Sequence, residues 1–257
     1  MANTVFNNKI IEAKAKDLLT TSLNTRSLMT VDTSLASEAG MTKTINVYTY
    51  AGTAEEVAAG QGNSNRGSIS YVGTDYTVKM VQQAFDYQDE DFMKDNTIVD
   101  NMLKGANQVM VNKMTADFIT ECGKATLKYT LTGDLSYDAV VDAISTLNLE
   151  DESKIFIVIP NAWKADIRKD EDYKAARMGE VVYNGQVGTI CGIPVIATKA
   201  LTDEAYVMTS EAVKLFIKKD VEVEQDRDAD TRTNSVYLRT AYVCALEDAT
   251  KICKLSA

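Results

Sequence analysis

The sequence predicts an α+β fold, and three of its features carry that reading. Residues 89–124 hold apolar side chains at helical spacing over an unusual length. Two runs rich in Thr, Val, Ile and Tyr, Lys43–Tyr50 and Ser68–Met80, have strand composition and flank a glycine-punctuated connection. From 128 to 170, short strand-like and helix-like segments alternate, as in a mixed subdomain with its own sheet.

In the first of these stretches Phe92, Ile98/Val99, Met102/Leu103, Ala106, Val109/Met110, Met114 and Phe118/Ile119 recur in steps of three and four, which places them on one stripe of a helix. Asp89, Glu90, Asp91 and Asp95 fall where the helix dipole favours negative charge, and Gly123 supplies a stop. One continuous helix of roughly 50 Å is expected. Gly105 interrupts it at a cost of about 1 kcal/mol against alanine, unless another backbone packs close there. Such a helix is either the core helix of an ordinary globular domain or the spine of a more extended molecule.

The N-terminal part has less to bury. Residues 7–19 predict a short amphipathic helix with Ile10, Ile11, Ala15, Leu18 and Leu19 on one side. Residues 20–44 are rich in Ser and Thr, with sparse apolar positions and no period, and read as an arm that is either disordered or ordered by lying on something else. The two strand runs then form a long hairpin whose tip, residues 51–67, contains Gly-Asn-Ser-Asn-Arg-Gly. A lone hairpin is marginal in water, so this one either joins a larger antiparallel sheet or rests on a surface in its own or another subunit.

Beyond the helix, Lys128–Thr132 is a short strand, and Ser136 caps a helix running to Leu147. Lys154–Ile159 is a buried strand ended by Pro160, with Asn161 as cap of a helix through Lys169. Residues 183–201 are a turn-rich stretch in which Asn184-Gly185 turns and Pro194 opens a strand. Its glycine spacing matches neither nucleotide fingerprint and leads into a strand, not a helix N-terminus. Ala205–Ile217, Val221–Glu224, Val236–Leu246 and Ala249–Leu255 supply the closing strands.

Composition narrows the function. With 257 residues and 45% hydrophobic content the chain can bury a substantial core. A net charge of −10 argues against binding nucleic acid through its phosphates. The absence of histidine removes Ser-His-Asp and Cys-His catalysis together. Cys122, Cys191, Cys244 and Cys253 match no zinc spacing and read as free thiols of a reducing compartment. No signal peptide and no membrane span is expected, which predicts a protein cytoplasmic as made. Asp220, Glu222, Glu224, Asp226, Asp228 and Asp230 put alternate carboxylates on one strand face. That stripe is a solvated or partner-pairing surface, with a divalent-metal site as the other possibility.

Ile157-Val158-Ile159-Pro160-Asn161-Ala162-Trp163-Lys164-Ala165-Asp166-Ile167-Arg168-Lys169-Asp170 is followed by the G-x-x-G turn in Asn184–Ile190 and by Gly192-Ile193-Pro194-Val195. These motifs, the close from Val221 through Asp226-Arg227-Asp228 to Lys254-Leu255, and the order of parts along nearly the whole chain resemble the major capsid proteins of tailed bacteriophages with the Hong Kong 97-type fold. The resemblance implies an N-terminal arm (residues 1–42), an E-loop hairpin (43–80), a P-domain with the spine helix (81–126), an A-domain (127–215) and P-domain C-terminal strands (216–257).

The implied function is a structural one with neither catalytic activity nor cofactor. The chain is expected to self-assemble as pentamers and hexamers into an icosahedral head around double-stranded DNA, without sequence-specific contacts or a membrane. Assembly is expected in the host bacterial cytoplasm, leaving the protein in the virion, with a portal as partner. Residues 1–42 are too few for the cleaved scaffolding region of some members, which implies a separate scaffolding protein or none. No lysine lies between Thr44 and Val78, so the E-loop lysine crosslink of other members is not expected. Glu55, Glu56 and Arg66 at the E-loop tip, with Asp226, Arg227 and Asp228, are the candidate intersubunit contacts, and Gly105 is the candidate bending point of the spine. The alternatives are an encapsulin-like bacterial nanocompartment shell and, from another class, a carboxylate-based metalloenzyme.

Overall fold

The structure, a computed structural model, describes residues 11, 13–15, 28–37, 39–95, 97–171 and 189–256. Most of the predicted 7–19 helix and the Asn184–Gly188 turn lie outside these residues, although Ile11 and Ala13–Ala15 are helical.

Twelve strands are described in three sheets. β1 (Thr30–Asp32), β4 (Lys79–Gln88), β10 (Val213–Asp228) and β11 (Thr233–Leu246) form a four-stranded sheet in the order β1-β10-β11-β4. β5 (Leu127–Thr130), β6 (Ile155–Pro160), β7 (Thr189–Ile190), β8 (Ile193–Thr198), β9 (Glu204–Thr209) and β12 (Ile252–Ser256) form a six-stranded one in the order β5-β12-β9-β6-β8-β7. β2 (Thr42–Ala51) and β3 (Ser68–Thr77) pair only with each other.

The expected single helix over 89–124 is two helices: α1 (Asp89–Lys94) and α2 (Ile98–Cys122). The Asp95 carboxylate accepts from the Thr97 amide at 2.8 Å and the Thr97 hydroxyl at 2.7 Å, while Asp95 itself is extended. Short polar side chains compete in this way with the helical backbone, and here they end one helix and start the next. The 25 residues of α2 make a rod of about 37 Å. Its buried stripe is Val99, Leu103, Ala106, Asn107, Met110, Val111, Met114, Phe118 and Cys122, so Val109 faces outward and Val111 inward. Gly123 ends the helix as expected, donating its amide to the Ile119 carbonyl at 2.9 Å.

That stripe lies between the two large sheets. In one core it meets Val221, Val223, Val236, Leu238 and Tyr242 of the four-stranded sheet, and Phe156, Val158, Tyr206, Met208 and Ile252 of the six-stranded sheet. The other face of the six-stranded sheet, with Ile155, Ile157, Ile159, Ala205, Val207, Cys253 and Leu255, packs on α3 (Tyr137–Leu147) and on Ile167 of α4 (Lys164–Lys169). Coverage on both faces is why β6 reads as an unbroken apolar run. Ser136 caps α3 through the Ala139 amide at 3.2 Å. Asn161, expected to cap the next helix, does not: α4 starts three residues later, and the Asn161 amide donates to the Thr198 carbonyl.

Three further differences from the sequence reading have tertiary causes. The run Ser68–Met80 is divided at Val78, a buried residue whose amide donates to the Met41 carbonyl at 2.7 Å. Beyond it β4, unforeseen past Met80, joins β11. Part of the predicted arm lies on its own subunit: β1 runs parallel to β10, and Leu28, Met29 and Leu35 are buried. The last strand, β12, which the implied division groups with the C-terminal strands of 216–257, sits between β5 and β9 in the six-stranded sheet. A small third core of Leu35, Tyr76, Val78, Phe216, Ala241 and Ala245 anchors the base of the β2–β3 hairpin.

Candidate assembly surface

The hairpin leaves that anchor with strand composition on both faces and nothing described to cover either. Tyr48 stands opposite Tyr71 and Tyr50 opposite Ile69, so these four side chains share one face. Val47 opposite Val72 occupies the other. The Tyr48 and Tyr71 rings are 5.8 Å apart between centroids. Exposure is 61% for Tyr48, 70% for Tyr50, 69% for Ile69 and 68% for Tyr71. Large apolar side chains gathered this way on a two-stranded ribbon are the mark of an interaction surface, not of a free monomer's skin. Burying each would contribute on the order of 1.5–3 kcal/mol before the cost of association is deducted.

These residues were missed by a sequence reading that looked for contacts among charges at the tip. The available signal was the alternation Tyr48-Thr49-Tyr50 and Ile69-Ser70-Tyr71, which puts the large side chains of both strands on one face.

Among the predicted charged residues, Glu55, Asp226, Arg227 and Asp228 have partners within the chain. The Glu55 carboxylate turns into its own loop, where it accepts from the Ser64 amide, the Ser64 hydroxyl at 2.9 Å and the Asn65 amide at 3.2 Å. These donors, the Ser64 amide first, hold its carboxyl below the usual carboxylate range. Glu56 and Arg66 are on the same exposed loop and enter no ion pair among the described residues. Arg227 donates through Nη2 to Asp89 at 2.6 Å, and the Asn234 amide nitrogen donates to the other Asp89 oxygen at 2.9 Å. Arg232 adds a contact to Glu90 at 2.8 Å. Together these pin the first turn of α1 to the far end of the β10–β11 hairpin. Asp228 closes the turn there, accepting from the Thr231 hydroxyl at 2.8 Å and the Asp230 amide at 2.9 Å, which lowers its pKa. Asp226 accepts from the Arg227 amide at 2.8 Å.

The acidic stripe is partly neutralised within the chain. Glu222 pairs with Lys219 and Glu224 with Arg239, each at 2.5 Å. The Arg239 guanidinium also lies over the Tyr237 ring and donates to Gln82. Carboxylates so engaged do not converge on a common point, and among the described residues no three His, Cys, Asp or Glu side chains form a candidate metal cluster. No described helix is long and apolar enough to cross a membrane.

Gly105 is exposed on α2, and a Cβ added there would meet nothing within 4 Å. Packing therefore does not require glycine at that position. The break at Asp95–Thr97 lies one helix segment upstream of it.

Comparison with known proteins bears on this architecture. No family model matches the chain. The major capsid protein of Staphylococcus phage phiMR11 is 24% identical over 88% of this chain and 84% of its own length. Among solved structures, the capsid of a native GTA particle superposes with a TM-score of 0.71 at 13% identity, over 91% of this chain and 90% of that one. The capsid of cyanophage P-SCSP1u gives 0.70 at 12% identity over 90% and 86%. A virus-like particle from Pyrococcus furiosus gives 0.68 at 12% identity over 98% and 100%.

The chain has the Hong Kong 97-type capsid fold. In its terms β2–β3 is the E-loop hairpin and α2 the spine helix. The exposed tyrosine face therefore belongs to the E-loop. The spine helix lies between the four-stranded sheet, β1-β10-β11-β4, and the six-stranded sheet, so both sheets bear on one rod.

Proposed function

We propose that this chain is the major capsid protein of a tailed bacteriophage, a non-enzymatic subunit that self-assembles into an icosahedral head enclosing double-stranded DNA. The observation that carries the reading is the E-loop: a ribbon of ten residue pairs with Tyr48, Tyr50, Ile69 and Tyr71 exposed on one face and Val47 and Val72 on the other, anchored among the described residues at its base. A neighbouring subunit is the surface it lacks, and closed symmetry repeats that burial at every subunit. The likeness to the phiMR11 major capsid protein supports the phage assignment over most of both chains. Pentamers and hexamers, a portal, a separate scaffolding protein and assembly in the host cytoplasm belong to the same proposal. An acidic chain suits an inner wall that encloses DNA without adhering to it.

Negative-stain microscopy of the purified recombinant chain tests it: closed shells hundreds of ångströms across are expected, and a compact monomer at all concentrations would overturn it. A nanocompartment shell is the second reading, favoured by the end-to-end match with the Pyrococcus furiosus virus-like particle. The contents of particles from the native source separate the two, since packaged DNA supports the phage head and a protein cargo the compartment.

A further inference from the structure

The loop that crowns the E-loop, residues 52–67, is exposed almost throughout, yet it is tied shut at two places. At its mouth the backbones of Gly52 and Gly67 cross so closely that a Cβ on Gly52 would stand 2.8 Å from the Gly67 Cα. The Tyr50 ring lies over the same point, and a Cβ on Gly67 would be 1.9 Å from its hydroxyl. Further out, Glu55 Oε1 gathers the amides of Ser64 and Asn65 while Oε2 takes the Ser64 hydroxyl. The Asn65 side-chain amide completes the tie across the loop, donating to the Thr53 carbonyl at 2.9 Å.

We propose that Glu55 is a positioning residue for assembly: its carboxylate clasps the 52–67 loop in one shape, so that the E-loop tip meets a second copy of the chain already ordered. This rests on the shell reading above and concerns how the contact is prepared. A sixteen-residue loop left loose would lose its conformational freedom at the interface and weaken it by that amount. The clasp places this loss in folding, ahead of assembly. It also leaves Glu56 and Arg66, the other charged side chains of the loop, directed to roles outside the tie. Tyr50 is the side chain of the flanking strand that lies over the loop mouth, and no charged group contributes to the lowered Glu55 pKa, whose causes are the Ser64 and Asn65 donors against a small effect of burial. Because hydrogen bonds to the ionised form hold the Glu55 carboxyl below its ordinary range, the clasp is complete above that range and opens as pH falls through the lowered value.

Three chains test this: wild type, Glu55→Gln and Glu55→Ala. The protection of the Ser64 and Asn65 amides in unassembled subunits is measured by hydrogen exchange, corrected for intrinsic pH dependence. The critical concentration for shell formation is measured alongside. Glutamine retains an acceptor oxygen for both amides and has no proton to gain, so it should keep protection across the acidic range and assemble as wild type does. Alanine should lose protection at every pH and raise the critical concentration several-fold. Wild type should be protected at neutral pH and lose protection in acid. Unprotected amides in the wild type, or Glu55→Ala assembling at the wild-type concentration, would overturn the proposal while leaving the shell reading intact. A wild-type chain that forms no shell overturns the shell reading and, with it, the role assigned to Glu55.

Discussion

At Asp89 a single carboxylate holds two donors from the far end of the β10–β11 hairpin, Arg227 and Asn234. The pair is two-thirds or more shielded from water, with side-chain exposures of 30% for Arg227 and 24% for Asp89. Removing Arg227 leaves the shielded Asp89 carboxylate with Asn234 as its remaining side-chain donor among the described residues, so Arg227→Ala should lower subunit stability by about 1–3 kcal/mol. Thermal unfolding of unassembled subunits checks this. If Arg227 acted only between subunits, the melting temperature would not move and assembly alone would suffer. Tyr71 is the reverse case. With 68% exposure it contributes little to its own subunit, and Tyr71→Ser should change subunit stability by no more than about 0.5 kcal/mol. Shell formation by the same variant, followed by light scattering, should need a clearly higher subunit concentration.

Among elements, the spine helix shows how one sequence pattern is divided by local chemistry. Its apolar stripe is continuous enough to predict one helix, but Asp95 and Thr97 form a turn of their own and split it. Gly105 lies in the longer piece with open space beside it, so Gly105→Ala should stabilise α2 by about 0.5–1 kcal/mol. The expected companion effect, if the spine bends there when the shell changes shape, is slower maturation, read by cryo-microscopy of particles sampled over time. Maturation at the wild-type rate would remove Gly105 as the bending point and leave the Asp95–Thr97 break to be tried. In the six-stranded sheet, Lys254 of β12 pairs with Glu204 of β9, and the buried Tyr206 donates its hydroxyl to the same carboxylate at 2.5 Å. The Lys254 contact first, then Tyr206, lowers the Glu204 pKa. This contact is therefore complete above the ordinary glutamate range and is lost as pH falls through the lowered value. Tyrosine near-ultraviolet circular dichroism should change in that acidic window, and the change should be absent in Glu204→Gln.

For the whole molecule, the E-loop is separable from the body in a way the spine is not. Among the described residues Ile45, Tyr76 and Val78 pack the base of the hairpin on a small core, with the Lys43 ammonium over the Phe216 ring and the Tyr76 hydroxyl on the Leu246 carbonyl, whereas α2 carries the packing of both large sheets. Replacing the distal hairpin, residues 47–72, by a two-residue turn should leave a folded subunit with near-native unfolding behaviour that no longer forms shells. Sizing chromatography and negative-stain microscopy of that variant check the expectation. Loss of folding would instead show that the ribbon supports its own subunit.

The sequence alone determined what depends on neighbours along the chain. Helical stripe, strand composition, the Ser136 cap and the buried run at Ile155–Ile159 are local properties, and they were legible with the order of parts that marks the fold. Tertiary structure decided what depends on residues far apart. Arg227 and Glu224 looked free because Asp89 and Arg239 reach them only through strand pairing and the turn into α1. Leu28, Met29 and Leu35 looked stranded in an arm because β10, which receives their segment, follows some 180 residues later. A periodicity shows which face of an element is apolar, but only the pairing of distant strands settles whether that face is covered; on the E-loop it is not.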